Sequence, residues 1–123
     1  MGYGVQSIGR WTAFTPTITG FSVQPTGIDA GSIMAGPKLG HYRWEMASAG
    51  GTSNAASFTM TMPFLARSIT RYLVMGLNSG VYTALEAYTA AGSNVISFFT
   101  LAGGNVGATL AKGSWGMITV EIQ

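Results

Sequence analysis

Cysteine is absent from this chain, and the side chains that carry most enzymatic chemistry are nearly so: 123 residues hold four carboxylates, Asp29, Glu45, Glu86 and Glu121, and one histidine, His41. Without thiols there is no disulfide framework, no paired-cysteine redox site and no cysteine zinc site, and the compartment is left open. Proton transfer, nucleophilic attack and metal binding need groups that are scarce here, so neither an enzyme nor a catalytic, cofactor or metal site is expected. The scattered acids form no calcium loop. Charge is low as well, at 8% of residues, with a net charge of +2. Apart from Arg67 and Arg71, the basic residues Arg10, Lys38, Arg43 and Lys112 stand alone. No basic stripe can neutralise a run of phosphates, which argues against a nucleic-acid partner. No apolar run approaches the roughly 18 residues of a membrane-spanning helix, so no membrane insertion is expected. Residues 1–10 have neither a basic start nor a long apolar stretch, so they do not read as a secretion signal.

What the chain has in abundance is glycine, 18 residues, beside a hydrophobic fraction of 47%. A chain of this size reads as one domain, residues 1–123, able to bury about two-thirds of the surface it exposes when unfolded. Its bulky apolar residues are spread thinly, which predicts that some apolar surface is covered by other subunits; residues 1–10 are expected to form an arm packed in such an assembly. Turn residues recur at short intervals: Gly20, 25–27, Gly31, 36–37, 50–51, 78–80, 92–94, 103–105 and 112–113.

Between these turns lie runs of strand length. Residues 11–19 put Phe14 and Ile18 on one parity and Thr15, Thr17 and Thr19 on the other. In 41–46, Tyr42, Trp44 and Met46 alternate with His41, Arg43 and Glu45, and the first set points inward. In 56–62, Ala56, Phe58, Met60 and Met62 point inward, Ser57, Thr59 and Thr61 outward, and Pro63 ends the run. Stretches 71–77, 81–89, 94–101 and 115–122 also have strand length and composition, although 82–91 fits a short helix too. The fold class is therefore all-β, an antiparallel β-sandwich or jelly roll of seven or eight strands.

Two local groupings read as structural. His41 and Glu45 share an outer strand face but lie about 13 Å apart, too far to work together. The stretch AGGNVG at 102–107 lacks the Lys-Ser/Thr that ends a phosphate cradle and reads as a loop.

Four stretches, taken in order, carry a resemblance. WTAFTPTITG at 11–20, GHYRW at 40–44, TMPFLA at 61–66 and LAKGSWGMITVEI at 110–122 are similar to successive strands of small β-sandwich modules in bacteriophage tail fibres and minor tail proteins. The chain departs from that pattern at Ser114, where an acid is usual, and at Val120, where a tyrosine is usual. The resemblance implies a structural protein on the surface of a phage virion, a homotrimer in contact with other virion proteins, and no enzymatic activity.

Aromatic residues divide into two groups. Trp11, Phe14, Tyr42, Trp44, Phe58, Phe98 and Phe99, with Met60, fit core or subunit-interface positions; Met34, Met46, Met62, Met75 and Met117 fit the same roles. Tyr72, Tyr82, Tyr88 and Trp115 can stack on a sugar face while bonding its hydroxyls, and Tyr82 and Tyr88 are the leading candidates for recognising a host-surface glycan. The expected function is a tail-fibre or minor-tail module contributing to host attachment. A capsid decoration protein and a bacterial carbohydrate-binding or adhesion domain are the alternatives.

Overall fold

A computed structural model describes residues 10–23, 25, 27–46, 52–53, 58–78, 81–101 and 112–123. Every regular element among them is a strand: β1 (Thr12–Ala13), β2 (Ile18–Thr19), β3 (Phe21–Val23), β4 (Ile28–Gly36), β5 (Leu39–Met46), β6 (Thr52–Ser53), β7 (Phe58–Thr61), β8 (Thr70–Asn78), β9 (Val81–Thr89), β10 (Val95–Thr100) and β11 (Lys112–Glu121). Nine of them form one curled sheet in the order β1-β4-β5-β11-β8-β9-β10-β7-β2, and β3 pairs with β6 beside it. All pairings are antiparallel.

The strand count corrects the expectation of seven or eight: among the described residues there are eleven, of which seven are four residues or longer. One cause is the first predicted strand, 11–19, which splits around Pro16. Its start pairs with β4 at one edge of the sheet, and its end pairs with β7 at the other. The Phe14 N–H donates to Ala30 O at 3.0 Å, and the Thr61 N–H donates to Thr17 O at 3.0 Å. The second cause is β4, whose Gly31 and Gly36 read as turn residues. Gly31 is in fact mid-strand, and a Cβ there would lie 3.1 Å from the Thr12 carbonyl oxygen. The helix alternative for 82–91 is overturned by the full-length pairing of β9 with β8 from Thr89 to Val81. The expected turn at 92–94 is present, and Gly92 adopts φ 76°, a conformation costly for other residues. The turns at 50–51 and 103–105, the loop 102–107 and the arm up to residue 9 lie outside the described residues, as do Ala56 and Ser57.

The sheet curls because the inward row of each long strand is apolar and meets the others across one interior. Tyr42, Trp44 and Met46 are buried as their alternation predicts, and so are Phe58, Met60 and Met62. Phe58 stacks on Phe98 at 4.5 Å, Phe98 meets Trp44 edge-on at 5.7 Å, and Phe14 meets Tyr42 edge-on at 5.9 Å. Strand β5 thus faces β10 across the core. Two buried polar tips are satisfied there: the Tyr42 hydroxyl donates to Thr61 O at 3.1 Å, and Trp44 Nε1–H donates to Ser114 Oγ at 3.0 Å. The Ser114 hydroxyl in turn donates a hydrogen bond to Met75 O at 3.0 Å.

Candidate functional site

The outer face of β8, β9, β10 and β11 follows from the same alternation, read on its other parity. Along β8, Val74 and Gly76 turn inward while Arg71, Leu73 and Met75 turn outward. Gly76 is bare because the Leu85 side chain occupies its place; a Cβ would fall 2.3 Å from Leu85 Cδ1. Gly116 on β11 likewise admits Val74 and Trp44, whose atoms would lie 2.8 and 2.9 Å from its Cβ. The core is therefore filled through the sheet's own glycines, and the outer apolar residues are not needed to complete it.

Those outer residues form rows set by register. Trp115 sits beside Met75, and Met75 beside Ala84. Leu73, Glu86 and Phe99 make a second row, and Arg71, Tyr88 and Ser97 a third. Leu73 is 71% exposed, Tyr82 71%, Met117 54% and Met75 52%, so this is an apolar surface facing water. The rings of Tyr82 and Trp115 stand 5.8 Å apart at a tilt of 39°. Six residues along β9, about 20 Å away, the Arg71 guanidinium lies 5.0 Å from the centre of the Tyr88 ring and 3.3 Å from the Glu86 carboxylate. Arg71, Glu86, Tyr88 and Phe99 line a shallow depression of about 260 Å³.

A second hollow, of about 360 Å³, opens where the sheet forks. Strand β11 pairs with β8 as far as Trp115 and Met75, after which Glu121 O accepts the Arg67 N–H at 2.8 Å and Ala66 bridges to Ile122. Thr119 and Glu121 line one side of the fork, Thr70, Arg71 and Tyr72 the other.

Both recognition candidates, Tyr82 and Tyr88, lie on this outer face, in different settings: Tyr82 is open and paired with an indole, while Tyr88 is half-buried under an arginine. Of the residues assigned to core or interface, Tyr42, Trp44, Phe58, Met60 and Phe98 are buried and Phe14 packs against them. Trp11 is not in the core: it is 43% exposed, with the Arg43 guanidinium 5.4 Å from its ring. Phe99, Met75 and Met117 also leave the core for the outer face. Arg71, Glu86 and Phe99 escaped sequence reasoning as a group because only register joins them. Their one local signal is the adjacent pair Phe98 and Phe99, which a strand must send to opposite faces.

On the remaining outer surface His41 Nδ1 and Thr119 Oγ1 are 2.9 Å apart, and Arg43 reaches Asp29 at 3.4 Å. Among the described residues no three of His, Asp or Glu gather as a metal site. Comparison of the chain with protein-family models, curated proteins and solved structures gives no match.

Proposed function

We propose that the chain is a structural protein of a bacteriophage virion, a homotrimeric surface module of the tail-fibre or minor-tail type that contributes to host attachment. The observation that carries this reading is the outer face of β8, β9 and β11, where Leu73, Met75, Tyr82 and Met117 stay exposed although the core beneath is complete. Large apolar side chains left exposed on one face favour a contact with another molecule. The phage setting comes from the ordered resemblance of 11–20, 40–44, 61–66 and 110–122 to tail-fibre strands. In this reading Leu73, Met75 and Met117 are covered by neighbouring subunits, Tyr82 and Tyr88 serve recognition, and the curled sheet is a variant of the sandwich or jelly-roll class, since β5 and β10 meet across one interior.

A capsid decoration protein is the second reading, favoured by the exposed Met75 and Met117, which suit apolar contact with other proteins better than sugar binding. Gold-labelled antibody on particles purified from cells carrying the gene separates the two. Label at the tail or fibre tip is expected; label over the head selects the decoration reading, and particles without label defeat both. Sedimentation of the pure protein at micromolar concentration should give a trimer, and a monomer there would remove the oligomeric part of the proposal.

A further inference from the structure

Four side chains at the Tyr88 end of the outer face make a small polar site with an apolar floor. Arg71 supplies hydrogen-bond donors, Glu86 supplies acceptors, and the two groups are 3.3 Å apart. The Tyr88 ring holds the guanidinium from one side at 5.0 Å, and the half-buried Phe99 ring, next to Glu86 across the strand pair, is the second aromatic surface lining the depression. The depression they line, about 260 Å³, is smaller than the 300–1,000 Å³ or so of pockets that enclose a drug-sized ligand. It suits one ring-sized unit of a longer chain, seated with one side in water.

An adjacent donor and acceptor of this kind is the complement of two neighbouring hydroxyl groups. One hydroxyl donates to the Glu86 carboxylate, and the next accepts from the Arg71 guanidinium, while the C–H face of the same ring rests on Phe99. The charges decide the rest. Because Glu86 already balances Arg71, an incoming anion gains little from the arginine and meets a carboxylate, whereas an uncharged polyol uses both groups at once. We infer that this depression is a subsite for a neutral pyranose presenting vicinal hydroxyls, with Glu86 and Arg71 as its polar contacts, Phe99 as its stacking platform and Tyr88 as the residue that positions Arg71. The inference rests on the reading of this face as a host-recognition surface and specifies what is recognised there.

The test is an NMR titration of the full chain with methyl glycosides of glucose, galactose, mannose and N-acetylglucosamine, run beside sialic acid and inorganic phosphate as anionic probes. At least one neutral glycoside should shift the amides of Arg71, Glu86, Tyr88 and Phe99 saturably. Phe99→Leu and Glu86→Gln should each weaken that binding tenfold or more, while Tyr82→Ala at the far end of β9 changes it less than twofold. Glu86→Gln should also raise phosphate affinity by leaving Arg71 unbalanced. The inference fails if no neutral glycoside saturates these amides, if sialic acid or phosphate binds there as tightly as the neutral sugars, or if Glu86→Gln leaves sugar binding unchanged. A chain that labels fibre tips and ignores all four glycosides sinks the sugar subsite and spares the virion assignment. A chain that binds a glycoside but is missing from particles does the reverse.

Discussion

Strands β8 and β9 carry apolar side chains on both faces, and the two faces have opposite fates. Inside, Val74, Leu85 and Ala87 are 6%, 0% and 2% exposed and are sealed under the aromatic cluster of β5, β7 and β10; outside, Leu73, Met75 and Tyr82 are more than half exposed. Hydrophobicity alone does not tell the faces apart. What separates them is curvature: the concave side gathers its apolar side chains against one another, while the convex side leaves Leu73, Met75 and Tyr82 largely to water. Stability should therefore reside on one face and association on the other.

The sharpest way to break that division is to truncate one residue on each side. Phe98→Ala removes a ring that touches both Phe58 and Trp44, and should cost about 3–5 kcal/mol in urea unfolding. A loss below about 1 kcal/mol there would mean that the inner face is not the core. Next comes Gly40→Ala, whose Cβ would lie 2.5 Å from Cζ of the buried Phe64 ring. The ring cannot retreat into filled space, so a loss of about 1–3 kcal/mol is expected in the same measurement.

Tyr42 adds a pH signature of the inner face. Burial raises its phenol above the ordinary value of 10.0, because the ionised ring would lose its water. Below that value the phenol is neutral in both folded and unfolded chains, and stability is unaffected. Above it the unfolded chain ionises while the folded one resists, so stability should fall with rising pH at up to about 1.4 kcal/mol per pH unit. Tyr42→Phe, followed by denaturation between pH 8 and pH 12 or so, should lose that alkaline slope; an unchanged slope would show that Tyr42 ionises freely.

On the outer face the expectation reverses. Leu73→Ser should leave monomer stability within about 0.5 kcal/mol while lowering the fraction of the proposed trimer in sedimentation. If it unfolds the chain as Phe98→Ala does, the two faces are equivalent after all. The smallest effect belongs to Arg67→Ala, which deletes an exposed pair with Glu121 at 3.4 Å and should cost no more than about 0.5 kcal/mol, less at high salt.

Legibility of the fold followed the same division. Strict alternation made β5 and β7 readable, since Tyr42, Trp44 and Met46 or Phe58 and Met60 stand on one parity with polar neighbours on the other. It failed at β4 because glycine serves turns and close strand approach alike, and only the Thr12 carbonyl against Gly31 reveals which purpose applies. It failed again where a strand is apolar on both parities. Met75, Met117 and Phe99 fitted core and subunit-interface positions alike, because nothing local says that Leu85, Val74 and Trp44 pack where Gly76 and Gly116 leave room, so only exposure sets these three on the outer face. Tyr82, Tyr88 and Trp115 were readable as candidate surface aromatics; the pairings of Tyr82 with Trp115 and of Tyr88 with Arg71 were not, because those contacts depend on register between separate segments.

The segment 12–19 has a mechanical consequence. Its start is bonded to β4 and its end to β7, at the two opposite edges of the nine-stranded order, so it works as a latch across the seam where the sheet comes round on itself. Tension applied at residue 10 would load the β4 contacts first and reach those with β7 only after the first had parted. Unlatching would bare two strand edges together, each able to pair with a neighbouring chain. Tension would thus turn a latched sheet into one with two adhesive rims.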